Sequence, residues 1–433
     1  MPEQYPILQV ALDLGETARA LKIGKLAVEG GADWVEAGTP LIKSEGLNAV
    51  RALKKEFPDK TIVADLKTMD AGRAEVEMAS KAGAGVVMVM GLASDSTIRE
   101  CVEAGQNFAC MIGVDLLNVP DPAKRAAEVA AMGVHHVGVH LAIDDQMAGK
   151  DPFSLLERVS KAVSIPVAVA GGINSETAAR AVKSGASILI VGGAITKDKD
   201  PRNATATIKK AMLSGETVVT ELFKRCSGAD IIEVLKQVSA ANLSDALHRG
   251  GVMAGIRPLR PGYKMFGKAF TVKTAPGDWA KPVEAIDLAP EGSVLVIDVG
   301  GVPPAIWGEL ATESARVRGL AGVVVDGAIR DSGDIARIGF PAFSRLVCPN
   351  AGEPKGFGEI GVAVSMGGQR VKPGDFILGD DDGVVVLPQE ISVEYANRAM
   401  DVLEKENRIR EEIREGSTLG KVVELLRWEK RIG

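Results

Sequence analysis

The chain has 433 residues, 46% of them hydrophobic and 4% aromatic, with a formal net charge of -6 at pH 7. That length implies two or three domains, and mixed charges with an acidic balance exclude the basic face that nucleic-acid binding requires. Cys101, Cys110, Cys226 and Cys348 form no C-x-x-C pair, no apolar run approaches the roughly 20 residues of a membrane span, and Met1-Pro2-Glu3-Gln4-Tyr5 lacks a signal-peptide pattern, so a cytoplasmic protein with reduced thiols and no membrane partner is expected.

From Ile7 to about Leu213, short apolar runs alternate with charge-bearing helical segments. The runs are Ile7–Leu12, Trp34–Glu36, Thr61–Leu66, Val86–Val89, Phe108–Val114, His136–His140, Pro166–Ala170 and Ile188–Val191. Their β-branched character suits strands buried on both faces of a parallel sheet. Helices closing on Gly31, Gly83, Gly133 and Gly185 recur about every 50 residues, two β-α units apart. This rhythm predicts a (β/α)8 TIM barrel.

In such a barrel, chemistry collects at the carboxyl ends of the strands. The polar residues there are Asp13, Glu36, Asp65, Lys67, Asp70, Asp115 and His140. In an extended strand Asp65 and Lys67 share a face, and Asp70 follows closely. The group reads either as a salt-bridge cap or as a metal ligand, a cation and an acid/base presented together. Asp115 would simply pair with a lysine or join the site, while His135 and His136 read as packing residues. Gly171-Gly172 and Gly192-Gly193 end the last two strands, where barrels bind phosphate through backbone N–H groups.

Leu8-Gln9-Val10-Ala11-Leu12-Asp13, Glu36-Ala37-Gly38-Thr39-Pro40, Asp65-Leu66-Lys67-Thr68-Met69-Asp70-Ala71-Gly72 and His140 with Asp144-Asp145-Gln146 resemble the orotidine-monophosphate-decarboxylase suprafamily. Within it the chain is most similar to the 3-hexulose-6-phosphate synthases, with the 3-keto-L-gulonate-6-phosphate decarboxylases as the rival. The decarboxylases carry an arginine in the strand-eight glycine motif, where this chain has Val191-Gly192-Gly193-Ala194-Ile195. The resemblance implies that Glu36 and Asp65 bind Mg²⁺ and that Lys67 stabilises an enediolate of ribulose 5-phosphate, which adds to formaldehyde. It also implies that His140 moves the proton, that Asp13 belongs to the site, and that Asp70 reaches into a neighbouring subunit's site in a homo-oligomer.

Charged residues 197–201 and a helix from Asn203 to about Leu213 lead to a boundary near residue 217, giving an expected barrel at 1–216 and a second α/β domain at 217–433. There, strand-like runs are expected at Gly267–Lys273, Ser293–Val299, Gly322–Val325, Pro341–Val347 and Val362–Val364, and on both sides of Gly379-Asp380-Asp381-Asp382-Gly383. The last stretch reads as a hairpin turn, with a metal role as the other reading. Asp287 and Asp298 read as structural. The block Gly300-Gly301 through Trp307-Gly308-Glu309-Leu310-Ala311, followed by Asp326-Gly327 and Arg330-Asp331, resembles the family of the regulator of ribonuclease activity A and the class II 4-hydroxy-4-methyl-2-oxoglutarate aldolases. That resemblance implies Asp331 as a ligand of Mg²⁺ or Mn²⁺ and Arg330 as the holder of an oxo-acid. Glu309 would stand near metal-bound water, with the Leu310 and Ala311 amides facing the substrate carboxylate. Regulator members instead bind protein, so the second domain reads either as an oxo-acid lyase or as a binding module.

Overall fold

The computed structural model describes residues 6–220 and 223–423. They form two compact units. The first holds residues up to Gln146, Lys150–Arg225 and the chain from Glu404; the second holds Met147–Gly149 and Cys226–Leu403. Among the described residues no helix is long and apolar enough to cross a membrane.

The first unit is a closed barrel of parallel strands in sequence order: β1 (Ile7–Leu12), β2 (Trp34–Ala37), β3 (Thr61–Thr68), β4 (Val86–Met90), β5 (Met111–Asp115), β6 (His136–His140), β7 (Val167–Ala170) and β8 (Ile188–Val191), with β8 pairing back to β1. The period of two divides each strand between two cores. Leu8, Val10 and Leu12 of β1 point outward, into the layer shared with the helices. Ile7, Trp34, Val63, Val86, Met88, Ala168 and Ile188 pack inside the barrel. One step further along the inward positions, the apolar filling gives way to Gln9, Glu36, Asp65, Asp115 and His140.

The expected strand at Phe108–Val114 begins later, at Met111, because the preceding helix runs to Asn107 and Ala109 then turns through a positive φ of 53°. β3 runs past Leu66 to Thr68 and slips register against β4 between Ala64 and Thr68. Lys67 sits in that slip with φ 49°. It therefore reaches the barrel mouth through a left-handed bend and not by plain alternation.

At the end of this unit, Glu404 is fully buried and accepts hydrogen bonds from the Phe223 amide at 2.7 Å and Arg225 Nη2 at 2.9 Å.

The second unit is built on a mixed sheet of eight strands. In chain order they are β9 (Arg257–Pro258), β10 (Met265–Lys273), β11 (Val294–Asp298), β12 (Gly322–Ile329), β13 (Ala342–Val347) and β14 (Glu359–Ile360). A separate ribbon, β15 (Val364–Met366) and β16 (Gln369–Val371), precedes β17 (Phe376–Asp380) and β18 (Gly383–Leu387). The sheet order is β18-β17-β10-β11-β12-β13-β9, with β14 beside β10. The centre is parallel, from β10 through β13.

Of the run expected at Val362–Val364 only Val364 is in a strand, opening β15, while Val362 and Ala363 lie in the connection from β14 that turns at Gly361, whose φ is 75°. The strand expected to end at Val325 continues to Ile329 after a register shift between Val325 and Ala328. A short helix, Ala240–Ala246, was not expected; Ser239 starts it by accepting from the Asn242 amide in a capping box. Asp380 to Gly383 is a hairpin turn joining β17 to β18. Its carboxylates serve backbone amides, Asp380 accepting from Ala240 N and Asp381 from Gly262 N. Asp298 likewise accepts from Gly300 N at 3.0 Å.

Candidate active site

The mouth of the barrel carries a connected ionic network. Lys67 Nζ lies 3.1 Å from Asp65 Oδ2 and 3.0 Å from Asp115 Oδ2. The same Asp115 oxygen lies 2.9 Å from His140 Nδ1, and Asp115 Oδ1 accepts from the Leu117 amide at 2.9 Å. Burial alone would raise the Asp115 carboxyl, but His140 and Lys67 outweigh it and hold the group at about 2. Burial works against the Lys67 ammonium, yet the Asp65 and Asp115 charges raise it well above its ordinary range. Lys67 is therefore held as a cation and Asp115 as an anion, the latter receiving Lys67, His140 and the Leu117 amide.

Two further carboxylates, Glu36 and Asp13, converge beside this network. Glu36 is buried and accepts from Gln9 Nε2 at 2.5 Å. Its carboxyl is pushed well above the usual range by burial and then by the charges of Asp65 and Asp13. Asp65 accepts from Thr39 Oγ1 at 2.8 Å. Asp13 keeps contact with solvent, but the surrounding protein atoms and the Asp65 charge push it up, against the pull of Lys67, His140 and Lys197.

Among the described residues, no group of three or more His, Cys, Asp or Glu side chains is placed to hold a metal. Magnesium does not need one, because it commonly takes one or two carboxylates and keeps several waters. Burial, and then the charges of Asp65 and Asp13, disfavour the Glu36 carboxylate, and a divalent cation would supply the opposite charge that favours it. The donor set thus fits Mg²⁺ held by Glu36 and Asp65.

The glycine pairs stand on adjacent strands, at the ends of β7 and β8. Gly171 has φ 103°, and a Cβ there would lie 2.8 Å from the Leu141 carbonyl oxygen; Gly172 has φ 71° with open space around it. A Cβ on Gly192 would lie 3.5 Å from Asp13 Oδ2, so the second glycine pair adjoins the acidic cluster.

Asp70 does not join the Asp65–Lys67 pair within this chain. It turns to solvent and accepts from the Ala71 amide at 2.6 Å. The second carboxylate on Lys67 is Asp115. Its signal was present in the sequence, since Met111, Gly113 and Asp115 are alternate residues of one strand, in step with His136, Gly138 and His140 on the next. His136 is the buried packing residue expected, edge-on to Trp34 and depressed to about 4 by burial and then by His135. His135 Nδ1 accepts from the Ile112 amide.

In the second unit, Arg330 comes directly after β12 and Asp331 follows with φ 57°, just ahead of the helix Ser332–Ile338. Asp331 Oδ2 accepts from the Glu309 amide at 3.1 Å and lies 3.5 Å from Arg330 Nε. The Arg330 amide donates to Trp307 O, which ties the two motif blocks together. Gly308 leaves the necessary room, because a Cβ there would come within 2.5 Å of Asp331 Oδ2. The helix Glu309–Val317 opens at this point, with the Leu310 and Ala311 amides in its first turn, where N–H groups have no partner inside the helix. The sequence reading quoted Asp326 within the motif without giving it a role; it is buried and accepts from Arg345 Nε at 2.5 Å and the Gly367 amide at 2.8 Å.

Comparison with known proteins gives two family matches. Residues 6–208 match the orotidine 5'-phosphate decarboxylase / HUMPS family, and residues 240–386 match the Aldolase/RraA family. The chain is 44% identical over 207 residues to 3-hexulose-6-phosphate synthase of Mycobacterium gastri, covering 47% of this chain and 99% of that protein. The Bacillus subtilis (strain 168) 3-hexulose-6-phosphate synthase is 39% identical over 209 residues, covering 48% and 99%. A crystal structure of a 3-hexulose-6-phosphate synthase is 43% identical over 48% of this chain and 99% of that chain, with a TM-score of 0.46.

Proposed function

Since the chain belongs to the orotidine 5'-phosphate decarboxylase / HUMPS family through its barrel and carries an RraA-like domain after it, we propose that the barrel joins ribulose 5-phosphate to formaldehyde, giving 3-hexulose 6-phosphate, or runs the reverse cleavage. The observation that carries this reading is the Asp65–Lys67–Asp115–His140 network, set at the mouth of a barrel that aligns with almost the whole length of a 3-hexulose-6-phosphate synthase.

His140 binds Asp115 through Nδ1, which leaves Nε2 to act on the substrate. Nε2 removes a proton from C1 of ribulose 5-phosphate, and the electron pair passes into a 1,2-enediolate. The Lys67 ammonium faces the negative charge that develops on oxygen. C1 then forms a bond to the formaldehyde carbon, and the aldehyde oxygen takes up a proton to become the new hydroxymethyl group. Asp115 keeps the imidazole oriented and stabilises its protonated form between the two proton transfers. Glu36 and Asp65 would hold Mg²⁺, which when bound adds positive charge beside the enediolate. The glycine pairs at 171–172 and 192–193 receive the phosphate through backbone N–H groups, and Asp13 borders that end of the site. Asp70, turned outward, is available to a neighbouring barrel in a homo-oligomer.

Formaldehyde consumption by the full-length protein with ribulose 5-phosphate and Mg²⁺, with and without chelator, tests this reading. Chelator-sensitive condensation is expected. Loss of carbon dioxide from 3-keto-L-gulonate 6-phosphate without formaldehyde uptake would favour the decarboxylase alternative, and no turnover of either would remove the proposed chemistry.

For the second unit, the Arg330–Asp331 corner beside an open helix start supports an Mg²⁺- or Mn²⁺-dependent lyase for a small oxo-acid. A protein-binding module without turnover is the other reading.

A further inference from the structure

Each of the two carboxylates assigned to the divalent cation receives an uncharged donor, on Asp65 in addition to the Lys67 ammonium at 3.1 Å. On Asp65 it is the Thr39 hydroxyl, whose Oγ1 lies 2.8 Å from Oδ2 and 2.9 Å from the Asp65 carbonyl oxygen. On Glu36 it is Gln9, one strand away on β1, with Nε2 donating to Oε2 at 2.5 Å. Gln9 is 1% exposed. It faces inward one step beyond the apolar layer of Ile7, Trp34 and Val63, in the layer that also holds Glu36 and Asp65. A buried amide is costly unless it is hydrogen-bonded, and here the bond it makes is to Glu36.

The chemistry of the donor matters. A lysine or arginine in this place would fix the carboxylate equally well but would cancel its charge and compete with a metal ion. An amide fixes one oxygen and leaves the negative charge in place. Outer donors of this kind orient metal ligands, and their loss typically costs about 10–100-fold in metal affinity.

We propose that Gln9 is a positioning residue of the barrel's divalent-cation site, holding Glu36 so that its carboxylate and that of Asp65 serve one cation. This rests on the reading of Glu36 and Asp65 as the metal ligands. Gln9 touches neither substrate nor reacting atoms in this scheme; it acts through Glu36.

The test is calorimetric titration of Mn²⁺ into full-length protein without substrate, in an Asp331→Ala background that removes the other candidate ligand. Glu36→Gln is the control for the metal reading and should abolish the titration. Gln9→Met is expected to weaken Mn²⁺ binding about 10–100-fold, while the metal-free thermal midpoint stays within a few degrees and activity returns at saturating metal. Gln9→Asn, which retracts the donor but keeps its polarity, is expected to move affinity in the same direction, and it serves if the methionine variant does not fold. If Glu36→Gln leaves Mn²⁺ affinity unchanged, the metal assignment falls and this proposal falls with it. If Glu36→Gln abolishes binding while the Gln9 variants stay within twofold of the parent, the metal assignment stands and the role of Gln9 is overturned.

Discussion

Replacing Asp115 by asparagine removes one negative charge from the middle of the barrel network and changes the shape of the side chain very little. The wild-type carboxylate receives Lys67 at 3.0 Å and His140 at 2.9 Å on one oxygen, and the Leu117 amide on the other. Its side chain is 6% exposed, so these contacts are weakly screened. The interval between the ordinary 3.8 and about 2 corresponds to about 2 kcal/mol in favour of the carboxylate within the fold. Asparagine keeps one acceptor oxygen but not the charge, and its NH2 group must avoid both the ammonium and any N–H on the imidazole. The expected loss of stability is therefore about 2 kcal/mol, a fall of several degrees in Tm for a domain of this size. The linkage has a definite sign. A carboxylate depressed in the folded state contributes stability that is fully present above 3.8 and is lost as pH falls through about 2. The Asp115→Asn variant should therefore lack that part of the acid sensitivity. For activity, the imidazole loses its orienting partner, and kcat for formaldehyde addition is expected to fall about 10²-fold or more with a smaller change in KM. Steady-state formaldehyde uptake with thermal unfolding on the same preparation measures both. A kcat within threefold of wild type would refute the role given to Asp115.

Other expectations follow from the same geometry. His136 is held neutral by burial, at about 4 against the ordinary 6.5, so the unfolded chain binds a proton that the folded chain refuses. Stability should drop as pH falls from 6.5 toward 4, and His136→Phe should flatten that part of a pH series of urea titrations. Gly171→Ala and Gly172→Ala both place a side chain at positive φ, but only the first meets the Leu141 carbonyl and side chain. Urea unfolding should show a cost of about 1 kcal/mol at Gly172 and clearly more at Gly171; equal costs would contradict the packing described. Arg330→Ala removes an ion pair whose partners are 43% and 37% exposed, so stability should change by less than about 0.5 kcal/mol. The same change should abolish pyruvate release from a 4-hydroxy-2-oxo acid if the second unit is a lyase; unaltered release would exclude Arg330 from that site.

Much of the fold could be read locally. Glycine endings at Gly31, Gly83, Gly133 and Gly185 adopt positive φ, as the left-handed ends of helices require, and β-branched runs fill a sheet covered on both faces. The Asp380–Gly383 turn was legible for the same reason, because its conformation depends on neighbouring residues alone. The second unit was less legible. A register shift in β12 and a turn at Gly361 displace strand ends by amounts that composition does not encode.

What the sequence by itself determined was which side chains lie at strand ends: Asp65, Lys67, Asp115, His140 and Glu36 could be named from their order along the strands. Which of them meet was decided by the closed barrel. Strand closure brings Asp115 to Lys67 and His140 across three different strands, while Asp70, near Lys67 in sequence, turns away on its loop. The left-handed bend at Lys67 and the bond from Gln9 to Glu36 depend on neighbours supplied by other strands. Local propensity sets backbone conformation residue by residue, but Coulomb and hydrogen-bond partners are set by distance in space, and only the tertiary structure specifies that distance.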